Sequence, residues 1–283
     1  MKRKPIIAAL LSSVTAGLGQ VYNGQMIKGI IFFFATSLIV ILLSLTGLQF
    51  HFYGLMAIIM ITLLFWLFIV IEAWVAATKI KEIRLKPYNK WSIYLLIVLL
   101  AFGIDVISTD FLINDILGIR GYRIQSESME PTLRKGDFVM VNIKHRGFQK
   151  LRRRDLVVYK FPEDPSKEFL GRVIGLEGEK LEIQNKWVYV NNSLLQEDYK
   201  THEDSRIFTK KDSPESDSIR DNYGPVIVPW GSCFILGDNR DHSHDSRYWG
   251  FLPLKSITGQ VSYIYLSADI VRIGRSLRQP QRQ

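Results

Sequence analysis

Long apolar runs dominate the first third of the chain, and short β-rich runs separated by turn residues fill the remainder. Three apolar runs, near 29–48, 54–75 and 91–108, carry almost no charged side chains. A helix of roughly 20 residues crosses the hydrocarbon core of a bilayer. The pattern therefore predicts a membrane region at residues 1–108, with one transmembrane helix in each run and the lipid bilayer as its partner.

A shorter apolar segment, 5–24, is rich in glycine and precedes the first predicted span. Its length favours an interfacial or re-entrant helix over a full crossing. Lysine and arginine cluster before the first span and in the loop at 78–90, whereas the connection at 49–53 has neither. Basic loops stay in the cytoplasm. This distribution predicts a multi-pass protein of the inner (cytoplasmic) membrane, with residues 109–283 on the periplasmic side.

The net charge of +9 follows largely from these flanking basic residues. The sequence contains no motif typical of nucleic-acid binding, so we expect no nucleic-acid partner. The only cysteine, Cys233, lies in an apolar run and is expected to be a buried strand residue. One thiol provides neither a disulfide nor a multi-cysteine metal site, and we expect no metal and no cofactor. The pattern gives no indication of an oligomeric state.

From residue 137 onward, runs rich in β-branched and aromatic residues alternate with Gly, Pro, Asn and Asp clusters. We predict a mostly β domain of the twisted antiparallel sheet or barrel-like type. Residues 197–223 are polar and charged, and they are expected to form an exposed insertion. The predicted strands cover residues 137–143, 155–161, 169–176, 180–184, 187–190, 226–228, 233–236 and 260–266.

Two polar segments, 126–133 and 237–251, carry the candidate chemistry. The first offers two hydroxyls, Ser126 and Ser128, which lie on one face if the backbone is extended. One serine can attack a carbonyl while the other donates a hydrogen bond to the resulting oxyanion. The second segment combines carboxylates, guanidiniums and two histidines with aromatic residues.

These segments resemble bacterial type I signal peptidases, which are serine peptidases with a Ser/Lys dyad. The resemblance implies a β-rich peptidase domain outside the inner membrane that removes signal peptides from exported precursor proteins, after small residues at positions −3 and −1. Six stretches carry it in the family's order: Ser-Met-Glu-Pro-Thr-Leu at 128–133, Gly-Asp at 136–137, Asp-Leu-Val-Val-Tyr at 155–159, Arg-Val-Ile-Gly-Leu at 172–176, Val-Pro-Trp-Gly at 228–231 and the loop at 237–250.

The resemblance implies a role for each matching residue. Ser128 is expected to be the nucleophile, and Ser126 is expected to contribute its hydroxyl to the oxyanion hole. Ser243 occupies the place where the family orients its general base, and Asp245 and Arg247 are expected to form a supporting ion pair. The apolar side-chain pockets are expected to be lined by Ile124, Met129, Phe169 and Leu170.

One position departs from the family pattern. The family has a lysine, the general base, directly before the arginine matched here by Arg172, and this chain has Gly171. His244, and after it His242, are alternative bases because they flank Ser243 and imidazole is the commonest general base. A lysine elsewhere is a further candidate, and those considered are Lys160, Lys167 and Lys180.

Three functions therefore stay open. The chain is an active signal peptidase, or a catalytically impaired homologue that binds signal peptides or assists an active partner. In the third hypothesis the N-terminal spans have a role of their own, since three spans exceed the one or two usual in the family. If the lysine is simply missing, Gly171→Lys is expected to restore cleavage, because the surrounding strands should still provide an apolar slot.

Overall fold

The structure, a computed structural model, describes residues 2–80, 82, 87–111, 116–144, 151–209 and 215–278. It divides into two compact units, residues 1–118 and 119–283. The sequence places this boundary about ten residues earlier, at 108/109. Apolar helices followed by a mostly antiparallel β domain confirm the predicted fold class.

The first unit is helical. Two helices, α3 and α4, are long and apolar enough to cross a membrane. In α5 the apolar stretch described in full, Trp91–Gly103, is shorter than such a span. The predicted crossing at 91–108 therefore stays a prediction. The five helices are α1 (Pro5–Val14), α2 (Leu18–Tyr22), α3 (Met26–Leu45), α4 (Phe52–Lys79) and α5 (Trp91–Phe111).

The predicted interfacial segment 5–24 forms α1 and α2, and neither helix is long enough to cross a bilayer alone. Gly19 lets α1, α2 and α4 approach closely, since a Cβ there would collide with the Ala8 carbonyl and Ser12. Gln20, fully buried, donates to the Ile69 carbonyl at 2.9 Å and to Glu72 at 2.8 Å. Glu72 also pairs with Lys28, so this acid has partners within the helical unit.

The second unit consists of two antiparallel sheets. The larger has seven strands in the order β1-β2-β11-β3-β4-β9-β10, and the smaller has the order β7-β6-β5-β8. Two short helices, α6 (Glu215–Asp221) and α7 (Ser246–Trp249), lie between strands. The strands are β1 (Ile119–Arg123), β2 (Phe138–Asn142), β3 (Leu156–Lys160), β4 (Glu168–Gly175), β5 (Lys180–Gln184), β6 (Trp187–Val190), β7 (Ser193–Leu194), β8 (Tyr223–Ile227), β9 (Ser232–Leu236), β10 (Leu252–Pro253) and β11 (Ile257–Leu266).

The larger sheet is covered on both faces, which β3 makes clear. Successive strand side chains point to opposite faces. Leu156 and Val158 pack into one apolar cluster, whereas Val157 and Tyr159 pack into another. Cys233 of β9 belongs to the second cluster and is fully buried, as its apolar neighbours predict.

The polar segment 197–223, expected to be an exposed insertion, has exposed residues at Asp198, Glu203 and 205–207, and it also packs by charge against the loop that follows β9. The Glu197 side chain is fully buried and pairs with Arg240. Asp221, also buried, pairs with Arg220 at 2.9 Å, and Asp204 accepts from Arg220 at 3.3 Å. Opposite charges therefore order a segment that has too few apolar residues to form a core. Residues 210–214 lie outside the described part of the chain.

Candidate active site

The two candidate serines lie in a turn anchored by apolar neighbours. After β1, the Ile124 amide donates to the Asp137 carbonyl at 2.8 Å, which fixes the entry to the turn. Met129 and Leu133 are buried in the core beneath it, and the Leu133 amide donates to the Met129 carbonyl at 2.8 Å. Ser128 is thus held half-exposed on a fixed backbone.

Ser126 and Ser128 are joined directly. Their Oγ atoms are 3.0 Å apart, within hydrogen-bonding distance, because the chain bends at Glu127 and turns at Ser128. The structure therefore brings together the two hydroxyls that the sequence singled out. A nucleophile and a donor in this arrangement suit attack on a carbonyl and stabilisation of the oxyanion.

Both serines open on a groove of about 460 Å³. All four residues predicted to line the apolar pockets contribute to it. Ile124 and Met129 are buried, Leu170 packs against the same core, and Phe169 is 40% exposed at the rim. The groove is lined by Tyr122, Arg123, Ile124, Gln125, Ser126, Ser128, Met129, Val158, Lys167, Glu168, Phe169 and Leu170.

The loop after β9 reaches the serine turn through its backbone. The Asn239 amide donates to the Ser128 carbonyl at 3.0 Å. Asp238 accepts from Arg172 of β4 through Nε at 2.7 Å and Nη2 at 2.6 Å, and both side chains are buried. This two-bond pair fixes the loop against the strand that carries position 171.

Asp245 and Arg247 form the buried ion pair that the resemblance implied. Arg247 donates to Asp245 through Nε at 2.8 Å and Nη2 at 2.9 Å, and each side chain is 2% exposed. Asp245 also accepts the Gly237 amide at 3.1 Å. Ser243 lies against Gly237, since a Cβ added at Gly237 would collide with the Ser243 hydroxyl and lie 2.6 Å from the Ser128 carbonyl oxygen. Ser243 and Ser128 therefore meet at the end of β9.

Position 171 faces Ile235. A Cβ added at Gly171 would lie inside van der Waals contact of Ile235 Cγ2 and 3.4 Å from Tyr159 Cε1. Gly237 follows Ile235 by two residues on the same strand face, about 6.6 Å further on. Ile235, however, narrows the slot that the sequence led us to expect, so a lysine does not fit there without a change in its neighbour.

The two histidines beside Ser243 are both exposed, and the structure shows other contacts for their rings. His242 Nε2 is 3.1 Å from a carboxylate oxygen of Glu203. The His244 ring stacks on Tyr248, with centroids 5.1 Å apart.

The candidate lysines differ in their position relative to the groove. Lys167 lines it, but its ammonium pairs with Asp164 at 2.9 Å and the side chain is 66% exposed. Lys160 is exposed at the end of β3. Lys180 lies on the smaller sheet and donates to Asn192 at 3.0 Å.

The sequence did not single out Tyr122 and Glu168, whose side chains meet at the groove. The Tyr122 hydroxyl donates to Glu168 Oε2 at 2.8 Å. Alternation could have found Tyr122, because it lies two residues before Ile124 on the same face of an extended segment. No local signal pairs it with Glu168, which is 46 residues further along the chain. Within the described ranges, no group of three His, Cys, Asp or Glu side chains is arranged to hold a metal ion.

Comparisons with known proteins identify the family. The family model described as signal peptidase, peptidase S26, matches residues 90–266. Signal peptidase I of Aquifex aeolicus is 29% identical over 200 residues, covering 53% of this chain and 77% of the relative. Signal peptidase I V of Bacillus subtilis is 34% identical over 141 residues, covering 50% and 82%. The crystal structure of a signal peptidase I from Enterococcus faecalis aligns at 30% identity and a TM-score of 0.31, covering 40% of this chain and 97% of that one.

Proposed function

The chain belongs to the signal peptidase family, peptidase S26, and we propose that it is a membrane-anchored serine endopeptidase that removes signal peptides from exported precursor proteins. One observation carries the proposal. The hydroxyls of Ser126 and Ser128 lie 3.0 Å apart and open on a groove lined by Ile124, Met129 and Leu170. This arrangement provides a nucleophile, an oxyanion donor and an apolar recess for small side chains.

In this proposal Ser128 Oγ attacks the carbonyl carbon of the scissile peptide bond. The carbonyl oxygen becomes an oxyanion that accepts hydrogen bonds from the Ser126 hydroxyl and the Ser128 amide. The carbon–nitrogen bond then breaks, and the amine leaves with the proton that the Ser128 hydroxyl has given up. Water hydrolyses the acyl-serine, which releases the carboxylate and restores the hydroxyl. Asp245, Arg247 and Asn239 act as positioning residues, because they hold the loop that contacts the Ser128 carbonyl.

The nucleophile is tested by Ser128→Ala in the full-length protein, purified in detergent. Cleavage of a precursor with an Ala-x-Ala site should fall to background, because the variant lacks the hydroxyl that attacks the scissile carbonyl. Ser193→Ala, on an exposed strand of the smaller sheet, is the matched control and should cleave like the parent. If Ser128→Ala cleaves as fast as that control, Ser128 is not the nucleophile.

A second function, binding without efficient cleavage, is favoured by Gly171. A glycine cannot transfer a proton, and Ile235 occupies space beside it. Tyr159, which also borders position 171, does not serve as the general base. Burial, together with the charge of Asp245, raises the pKa of its phenol and keeps it protonated. The impaired homologue would still present the groove to signal peptides.

A comparison of Gly171→Lys with the double variant Gly171→Lys/Ile235→Met separates the two functions. Methionine has no branch at Cβ and roughly conserves volume, so it removes the collision with position 171. If the parent lacks a base, the double variant should cleave at least about tenfold faster than either single variant. Ile235→Met alone controls for the change in packing and should leave the parent rate unchanged.

Two other results would defeat this explanation. A parent that already cleaves rapidly and loses activity in His244→Ala would identify a histidine base, whatever residue occupies position 171. A double variant that folds but is no faster than the parent would show that position 171 does not supply the base. Lys167, which lines the groove, would then be tested next by Lys167→Met.

A further inference from the structure

Arg3, in the helical unit, has a buried guanidinium with unused donors. The residue is 8% exposed, and its Nε and Nη2 have no hydrogen-bond acceptor within the described part of the chain. The guanidinium carbon lies 4.3 Å from the centre of the Tyr22 ring. Stacking on an aromatic face holds the cation in place but accepts none of its planar N–H groups. A buried cation in this state is costly without an anionic acceptor.

The first turn of α1 adds the backbone amides of Ile6 and Ile7 near Arg3, because Pro5 has no N–H and the Lys4 amide already donates to the Tyr22 hydroxyl. The helix begins at Pro5, two residues after Arg3, and its N-cap residue Lys4 provides no side-chain cap. The Lys4 amide points to the Tyr22 hydroxyl, 3.3 Å away, so this turn and the stacked Arg3 share one aromatic side chain. Uncapped N–H groups at a helix start favour negative charge. The two features converge on an anion.

An apolar groove lies beside α2, where it is lined by Leu18 and Val21 of the helix that also carries Tyr22. It has a volume of about 360 Å³ and is bounded by α2, α3 and α5. Each helix lines one side of it, α2 with Val21, α3 with Phe33 and α5 with Ala101. Tyr88 lies along it and ties α2 to α5 by donating to the Gly24 carbonyl at 3.0 Å. A hydrocarbon chain is the occupant that suits such a groove in a helical unit exposed to lipid.

We propose that the helical unit binds an anionic phospholipid. Its phosphate diester accepts hydrogen bonds from the Arg3 guanidinium and the first turn of α1, and one acyl chain lies in the groove. A basic pocket between helices at the cytoplasmic side is the kind of site that anionic headgroups occupy. An apolar peptide helix fits the groove less well, because it brings no acceptor for Arg3. This lipid site is independent of the peptidase reaction proposed above.

The test measures lipid affinity of the delipidated full-length protein in detergent by native mass spectrometry. The probes are dioleoyl phosphatidylglycerol, dioleoylglycerol, which has the same chains without phosphate, and inorganic phosphate. Arg3→Gln should weaken binding of phosphatidylglycerol at least about tenfold, the loss expected for hydrogen bonds to a charged group. Lys2→Gln removes the same charge from an exposed neighbour and should change affinity less than twofold.

The groove is tested on α5. Ala101→Phe fills it and should weaken phosphatidylglycerol binding, whereas Leu99→Phe, on an exposed part of the same helix outside the groove, should not. Dioleoylglycerol and inorganic phosphate should each bind far more weakly than the intact lipid.

Several outcomes would overturn the proposal. Equal losses of lipid affinity in Arg3→Gln and Lys2→Gln would show that only net charge matters. Tight binding of dioleoylglycerol would show that the phosphate is not recognised. Inorganic phosphate that competes at similar concentration would indicate a phosphate site and not a lipid site. If an uncharged apolar helical peptide displaces the lipid and binds Arg3→Gln as well as the parent, the groove is a peptide site. If Arg3→Gln unfolds without lipid, Arg3→Lys, which keeps the charge but loses the planar fork, should bind with intermediate affinity.

Discussion

The position of the Ser126 hydroxyl beside Ser128 predicts how much it contributes to the rate of cleavage. It lies 3.0 Å from the nucleophilic oxygen and faces the same groove. Loss of one oxyanion donor reduces kcat by roughly 10²–10³-fold. Ser126→Ala should therefore lower kcat by this factor with little change in KM, because the donor acts on the transition state.

Ser126→Thr is the matched control for this prediction, since it keeps a hydroxyl at the same position. Steady-state kinetics on one precursor substrate distinguish the variants. A fall in kcat/KM that comes entirely from KM would mean that Ser126 binds substrate and does not stabilise the oxyanion.

Individual residues also show where sequence reasoning ends. The serine pair could be predicted from its spacing of two residues, although the two hydroxyls meet across a turn and not along an extended segment. The obstruction at position 171 could not, because Ile235 is 64 residues away and meets Gly171 only through the pairing of β4 with β9. The register places Val173 opposite Ile235, and no local pattern in either strand specifies that register.

Among the elements, strands with clear β-rich runs were predicted within a few residues of their observed bounds, and β5 and β6 agree at both ends. The strand β1 was missed. Its sequence, Ile-Arg-Gly-Tyr-Arg, contains two arginines and a glycine and has low intrinsic β propensity. It is a strand because it pairs along its whole length with β2, which is a tertiary cause.

The segment 197–223 provides a prediction about acid stability. Burial alone would raise the pKa of Glu197, but the charges of Arg240 and Lys200 outweigh burial and hold the pKa below its usual value of 4.5. A carboxyl group with a lowered folded-state pKa stabilises the protein above its unfolded-state pKa. This stabilisation is lost as the pH falls through the folded-state pKa.

Glu197→Gln should therefore reduce the stability of this unit at pH 7 by about 3–5 kcal/mol, because it leaves Arg240 buried without its partner. It should also flatten the decline in stability below pH 4.5, the usual pKa of this group. Pulse proteolysis of the full-length protein in urea at several pH values measures both effects. Glu163→Gln, an exposed carboxylate, is the control, and identical pH profiles for the two variants would contradict the prediction.

For the whole molecule, the side of the membrane on which the groove beside Ser128 lies depends on whether α5 crosses. Two crossings, by α3 and α4, would return the chain to its starting side, and a third crossing by α5 would carry residues 119–283 to the other side. The basic residues before α3 and after α4 favour a cytoplasmic location for both. We therefore propose that α5 crosses and that the β unit lies outside.

A reporter enzyme that is active only outside the cytoplasm tests this topology. Fused after Gln283 it should be active, and inserted between Lys79 and Lys90 it should be inactive. A fluorescent protein that matures only in the cytoplasm should give the reverse pattern at both positions. An inactive reporter enzyme and a fluorescent reporter at the C-terminus would place the groove beside Ser128 in the cytoplasm. This result would exclude processing of exported precursors.

Because Cys233 is buried, its reaction with alkylating reagents reports when β9 opens. The thiol is fully buried, and burial raises its pKa to about 12, so alkylating reagents meet neither an accessible nor an ionised sulfur. Cys233 lies two residues before Ile235 and four before the loop that contacts Ser128, so labelling in the native state records openings of the strand that supports the site. Because the natural chain offers no other cysteine, a second one placed on the surface can carry a dye by itself. The labelling rate of Cys233 can then be followed in the same sample by mass spectrometry.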